Sequence, residues 1–361
     1  MKIFNRMAKD GHEQVIFCYD KSTGLKLIVA IHDTTLGPAT GGCRMHLYNT
    51  EEEAIDDALR LSKAMTFKTA AVGVNFGGGK CIIWGDPNTD KNETLFRALG
   101  RFVQTLEGRF STGPDLGTSS EDFIWARQET PYVNALPEEY GGSGDTSLIT
   151  AFGVWSGLRA ASKWCWGSDS LKGKKVAVQG LGKVGYHLVD YLIGDGAECI
   201  VCDIASENIK AIKEKHPELT VTEPQTIYDV RCNIFSPNAV GSILNDQTIP
   251  RLKCEVIGGA ANNQLAEERH GDLLAEFGIL YCPDFVINSG GLIQVADELQ
   301  GFNRERAFKK TADIYHRLLE IFRISKEKNI STHKVAIQLA EKRIQAIEAM
   351  KSIYIRSQDR K

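Results

Sequence analysis

VAVQGLGKVG, Val176–Gly185, is the stretch on which the fold turns. An apolar, β-branched run passes without a break into Gly180, Gly182 and Gly185, spaced G-x-G-x-x-G, and the amphipathic VGYHLVDYLI follows. Strand, glycines, helix is the order a pyrophosphate needs. The glycines permit a tight turn and close backbone approach, and the helix N-terminus then faces the anion. Alone, the motif is a weak signal. Here ECIVCD forms a second strand ending in Asp203, where an acid accepts hydrogen bonds from a ribose 2′-hydroxyl. The bland alternative, a tight turn with an incidental Asp, leaves that pairing unexplained. The reading is a site for NAD, with Gly180, Leu181, Gly182, Lys183, Val184 and Gly185 around the phosphates and Asp203 repelling the 2′-phosphate of NADP.

Outward from this motif the rhythm is regular. After Leu171 strands (KVAVQG, ECIVCD, NIFSP, CEVIGGA, GILYCP) alternate with helical stretches, which argues for a parallel sheet with crossover helices. The chain before it is mixed. QVIFCYD and LKLIVAIH read as paired strands, TEEEAIDDALRLSKAM as a helix opened by a Thr50–Glu53 capping box, CIIW as a buried strand and ETLFRALGRFVQTL as a helix. The tail, TADIYHRLLEIFRISKEK and THKVAIQLAEKRIQAIEAMKSI, is amphipathic helix. The predicted architecture is α/β, with two domains across a cleft. Residues 1–135 form an α/β substrate, catalytic and oligomerisation domain. Residues 136–330 form a Rossmann-type NAD-binding domain, and 331–361 a C-terminal helix packing back on the first.

Composition narrows the function class. The 361 residues are 42% hydrophobic and 25% charged, an ordinary globular balance. A net charge of −3 leaves no electrostatic footprint for nucleic acid or an anionic membrane. No apolar run approaches the ~20 residues of a membrane span. The start, MKIFNRMAKDGHEQ, lacks the apolar stretch of a secretory signal. Nine cysteines spread along the chain suggest reduced thiols and a cytoplasmic setting. Cys199 and Cys202 spell C-x-x-C, but within a strand they point to opposite faces and read as buried thiols.

A second stretch, NFGGGKCIIWGD, Asn75–Asp86, carries the chemistry. A phosphate-binding P-loop would need glycine at 74 and Ser/Thr at 81; Val74 and Cys81 stand there instead. Most lysines are solvated surface. Lys80 differs, because it follows glycines that remove side-chain cover and precedes an apolar strand. A partly desolvated lysine near a second positive charge has a lowered pKa and serves as a base near neutrality. Lys68 would keep its charge and hold a carboxylate. TGPDLG offers Asp115.

These residues resemble the glutamate/leucine/phenylalanine/valine amino acid dehydrogenase family along nearly the whole chain. The matching stretches are LGPATGGCRM, LRLSKAMTFKTA, GVNFGGGK, TGPDLGT, GGSGDTS, SLKGKKVAVQGLGKVG, ANNQL and PDFVINSGGLIQVADE. The resemblance implies oxidative deamination of an L-amino acid to a 2-oxo acid and ammonia, with NAD taking the α-hydride and no metal. It makes Lys80 the catalytic lysine that activates water, and Asp115 the acid that holds the amino group. Lys68 becomes the carboxylate anchor, aided by the backbone at Gly41 and Gly42. Asn262 and Thr150 fall beside the nicotinamide, Asn262 also beside the substrate. Asn238 and Ala239 fall along the cofactor, and Thr40, Met65, Gly113 and Leu292 along the substrate pocket. It also implies a homo-oligomer, with octamers among close relatives.

The chain departs from the family pattern at Thr40 (usually leucine), Asn238 (commonly cysteine), Ala260 (serine) and Ile149 (proline). Gly113 and Leu292 match phenylalanine-preferring relatives, where leucine-preferring ones carry alanine and valine. The expected substrate is L-phenylalanine, then tyrosine, with leucine and its branched relatives as the alternative. A catalytically dead sensor would have lost Lys80 or Asp115. A hydroxy-acid dehydrogenase would use His or Tyr, and His12, His32 and His46 lie outside any glycine-rich motif and read as ordinary structural or surface histidines.

Overall fold

The computed structural model describes residues 2–350. The chain forms two compact units. The first comprises the chain up to Gly144, the short piece Glu298–Phe302 and the chain from Leu339 onward. The second comprises Asp145–Asp297 and Asn303–Gln338. The part of the expected tail helix beyond residue 350 lies outside the described residues.

In the first unit, α1 (Ile3–Asp10) precedes an antiparallel pair, β1 (Gln14–Tyr19) and β2 (Lys26–Asp33). Then come β3 (Ala39–Thr40), β4 (Cys43–His46), α2 (Glu51–Ala71), β5 (Gly77–Trp84), α3 (Glu93–Gln104), β6 (Phe110–Ser111) and α4 (Ser120–Arg127). The six-stranded sheet runs β1-β2-β5-β3-β6, with β4 also on β5. Alternation along its strands makes two cores. Ile28, Ala30 and Ile82 meet Ala54, Ile55, Ala58 and Leu59 of α2. Leu27, Val29, Ile31, Cys81 and Ile83, one step out of phase, meet Phe96, Leu99 and Phe123 of α3 and α4.

The α2 N-terminus is capped by Thr50, whose hydroxyl accepts the Glu53 N–H at 3.2 Å. The reciprocal half of the expected capping box is replaced, since Glu53 Oε2 takes the Asn49 N–H at 3.0 Å. At the other end Arg343 serves the last carbonyls, reaching Ala70 O at 3.3 Å and Val74 O at 2.9 Å. Ala340 and Ile344 pack there on Leu36 and Ala70.

One correction concerns β5. The sequence places the glycines ahead of a strand, but Gly77, Gly78 and Gly79 lie inside it, hydrogen-bonded on both sides. A Cβ on Gly79 would meet the Phe110 ring at 2.6 Å, and one on Gly78 would strike Thr66 and Ser62 O of α2. The glycines let α2 and Phe110 press onto the strand.

The second unit begins with α5 (Ser147–Trp166), β7 (Lys175–Gln179), α6 (Lys183–Gly194), β8 (Glu198–Cys202), α7 (Ser206–Lys215) and β9 (Thr220–Val221). It continues through β10 (Ile234–Pro237), β11 (Val256–Ile257), α8 (Arg269–Glu276), β12 (Leu280–Tyr281), α9 (Asp284–Ile287) and α10 (Gly290–Glu298). After α11 (Arg304–Ala312) and α12 (Ile314–Lys328), α13 (Thr332–Ala349) crosses from the second unit into the first. Its sheet is parallel throughout, ordered β12-β11-β10-β7-β8-β9. Strand order reverses between β7 and β10, the switch point where open α/β sheets bind ligands. Cys199 and Cys202 are both buried in β8 and unbridged, as are the other cysteines free of disulfides. No described helix is long and apolar enough to cross a membrane.

Candidate active site

Along one side of β5 lie two short strands end to end, β3 at Gly77–Gly78 and β4 at Cys81–Trp84. Between them Gly41 and Gly42 pass Gly79 and Lys80. A Cβ on Gly41 would fall on Gly79 O, and one on Gly42 would come 2.8 Å from Asp115 Cβ. Glycine is required at both because two backbones and the Asp115 side chain converge there. The Gly41 N–H is committed to Ser111 O at 3.2 Å.

Lys80 shares its face of β5 with Gly78 and Ile82, the face turned to α2. It is 5% exposed, far more covered than the glycines before it suggest. Burial above all, and then the Arg44 guanidinium, push its pKa down to about 7. The second positive charge anticipated from sequence is thus Arg44 on β4, which shares Lys80's face and is itself paired to Asp57 at 2.8 Å. Lys80 Nζ pairs with Asp115 Oδ2, while Asp115 Oδ1 accepts the Leu116 N–H at 2.6 Å. Lys68 and Met65 are half-buried on the last turns of α2 and, three residues apart, share a stripe. His12 and His32 are buried, bonded to Leu59 O at 2.9 Å and Thr66 Oγ1 at 2.8 Å, and serve structure as expected.

Thr40 and Ser111, on adjacent strands and both 4% exposed, join hydroxyl to hydroxyl at 3.1 Å. Two residues on from Ser111, Gly113 is packed against a neighbouring segment. The space its missing methyl leaves is filled by Asn134, whose backbone O would lie 2.7 Å from a Cβ there and whose amide would lie nearer still. Asn134 is 4% exposed, and its Nδ2 has no hydrogen-bond partner. Sequence reasoning missed it, because an Asn in the irregular PYVNALP carries no signal beyond that of any turn residue.

In the second unit the three glycines of the loop between β7 and α6 divide their work. Gly180 has φ +92°, open to glycine at little cost. A Cβ on Gly185 would strike Gly180 O, so the third glycine lets α6 close on β7. Nothing lies within 4 Å of a Cβ on Gly182, the N-cap of α6, which leaves the helix N-terminus open to a phosphate. Asp203 Oδ2 accepts the Leu181 N–H at 2.6 Å and Oδ1 the Ala205 N–H at 2.8 Å, so its carboxylate is fixed beside the loop. Lys183 is exposed and ion-paired with Asp145 at 3.3 Å, and Val184 is half-buried beside it. Ala239 packs on Gly180. Asn238 accepts the Ala260 N–H at 2.8 Å, tying the loop after β10 to the loop after β11, which explains the amide at that position. Asn262 is exposed on the latter loop; Thr150 on α5 and Leu292 on α10 are buried and half-buried. This open helix N-terminus with an oriented acid fits a dinucleotide.

Asp246, Glu267 and His270 cluster as metal ligands would. Arg269 already bridges the two acids at 2.5 and 2.9 Å. His270 Nδ1 accepts the Glu267 N–H at 2.9 Å, which places the ring proton on Nε2 and leaves no lone pair for a cation. The cluster is an ion-pair network.

Comparison with known proteins gives a consistent picture. The family profile described as Glu/Leu/Phe/Val dehydrogenase, dimerisation domain, matches residues 12–132. The profile described as Glutamate/Leucine/Phenylalanine/Valine dehydrogenase matches 141–205 and 201–352. A leucine dehydrogenase of Geobacillus stearothermophilus is 53% identical over 357 residues, 99% of this chain and 97% of that one. A phenylalanine dehydrogenase of Caldalkalibacillus thermarum is 52% identical over 347 residues, 95% of this chain and 94% of that one. The crystal structure of L-tryptophan dehydrogenase from Nostoc punctiforme superposes with TM-score 0.85 at 45% identity, covering 96% of this chain and 99% of that one.

Proposed function

The chain belongs to the glutamate/leucine/phenylalanine/valine dehydrogenases, NAD-dependent enzymes acting on amino acids, and we propose that its substrate is an aromatic L-amino acid, phenylalanine first and tyrosine next. NAD, when bound, supplies the acceptor for the α-hydride. In this proposal Lys68 holds the substrate carboxylate and Asp115 the amino group. Once the hydride has left, the α-carbon is an iminium carbon. Lys80, poised near neutrality, takes a proton from the water that adds to it and returns it to the amine. The new hydroxyl then loses its proton as ammonia leaves to give the 2-oxo acid.

What supports the aromatic reading is the pair Gly113 and Leu292, which match the residues that phenylalanine-preferring relatives carry there, together with the 52%-identical phenylalanine dehydrogenase. Leucine stands as the second reading, because the 53%-identical relative carries that name. Values of kcat/KM over Phe, Tyr, Trp, Leu, Ile and Val test the choice. Aromatic substrates should lead, and a clear preference for Leu or Val would overturn the proposal.

A homo-oligomer belongs to the same reading, built on the first unit that the dimerisation profile covers. Supporting it, β1 is the last strand of its sheet and exposes Phe17 and Tyr19 at 48% and 64%.

A further inference from the structure

Asn288, one residue past α9, is 5% exposed. Its Nδ2 lies 3.1 Å from Ala260 O, 3.4 Å from Ala261 O and 2.7 Å from Asn262 Oδ1. An amide's O and N look alike, so the direction of such bonds must be reasoned out. Two of the three neighbours are backbone carbonyls, which only accept, so the Asn288 atom facing them is the nitrogen. The Asn262 atom that meets this nitrogen is therefore the oxygen, and the Asn262 NH₂ is turned away from Asn288. Asn262 itself is exposed. An exposed Asn is free to present either end of its amide; this one is held in a single orientation from behind.

We propose that Asn288 is a positioning residue that locks the Asn262 amide with its NH₂ outward, so that the enzyme offers a donor and selects an acceptor oxygen there. The inference rests on the reading that Asn262 lies beside the nicotinamide and substrate, and it adds the sign of the contact. Two acceptors share this chemistry, the carboxamide oxygen of the nicotinamide and an oxygen of the amino or oxo acid. A donor misplaced by ~1 Å costs on the order of 100-fold in rate.

The test is a double-mutant cycle in the full-length enzyme, N262A against N288A, with N288D as a near-isosteric variant that has no N–H to give. Expected is a fall of at least about tenfold in kcat/KM for N288A and N288D, with no further loss when N288A is added to N262A. A raised dissociation constant for NADH would identify the nicotinamide oxygen as the acceptor, and a raised KM for the amino acid alone would identify the substrate's. Losses that add in the double variant would overturn the proposal, as would a fall in activity that merely follows a lowered Tm and vanishes on cooling. Full activity in N262A would bring down the underlying reading of Asn262 instead. If N288A proves too unstable to assay, N288S, which keeps one O–H donor, should retain more kcat/KM than N288D; the reverse order would also count against the proposal.

Discussion

Lys80 and Asp115 form an ion pair directly over Gly42, the residue whose missing side chain leaves room for the Asp115 carboxylate. The pair joins a buried lysine to a carboxylate 27% exposed, so one partner is shielded and the other can meet a ligand. Replacing Lys80 by Ala should lower kcat by ~10²–10⁴-fold, the range of general base catalysis, while NADH still binds. Lys68→Ala should act chiefly by raising KM for the amino acid. Near-normal kcat in Lys80→Ala would remove the lysine from the chemistry.

The pH profile follows from burial. Lys80 must be unprotonated to take a proton, and its pKa is lowered to about 7. The kcat/KM of deamination should therefore fall about tenfold per unit below pH 7 and flatten above it. A limb near pH 10 instead would show that burial does not lower this group.

Arg44 provides a separate handle on the same group. Its charge disfavours the Lys80 ammonium, so Arg44→Met should move the acidic limb to higher pH. Asp57, left without its Arg44 partner, would still favour the ammonium and so act in the same direction. An unmoved limb in a folded variant would exclude Arg44 from the electrostatics of Lys80.

Coenzyme choice should rest on Asp203. With NAD the wild-type kcat/KM should exceed that with NADP, and Asp203→Ser should narrow the gap. Because Asp203 also receives the Leu181 and Ala205 N–H groups, the variant should lose NAD affinity as well as gain NADP use. Equal use of both coenzymes by the unaltered enzyme would refute this.

Leu292→Val should shift preference from aromatic substrates toward leucine, by ~10–100-fold in the ratio of kcat/KM values. An unchanged Phe/Leu ratio would place the selectivity elsewhere.

How far the sequence could be read depended on how local each cause was. The phosphate loop was legible because the conformation of Gly180 and the cover over Gly185 are set within six residues. Asp203 was legible because parallel β7 and β8 bring it beside the loop at a regular interval. The role of Gly77–Gly79 was not, since the groups that demand them, Thr66 and Phe110, lie on a helix and a strand remote in the chain. Arg44 as the charge near Lys80 and Asn134 behind Gly113 were hidden for the same reason. Each becomes a neighbour only through strand pairing and loop packing across the sheet.

The packed glycines of β5 also decide what a mutational scan of this enzyme would record. Any side chain at 78 or 79 must displace α2 or the Phe110 ring, so a selection scored by growth would flag both positions as strongly as Lys80. The resemblance would mislead, because those variants would be lost from the soluble pool, whereas Lys80 variants would persist as inert protein. Scoring abundance and turnover in parallel would separate the two kinds of intolerance within a single strand.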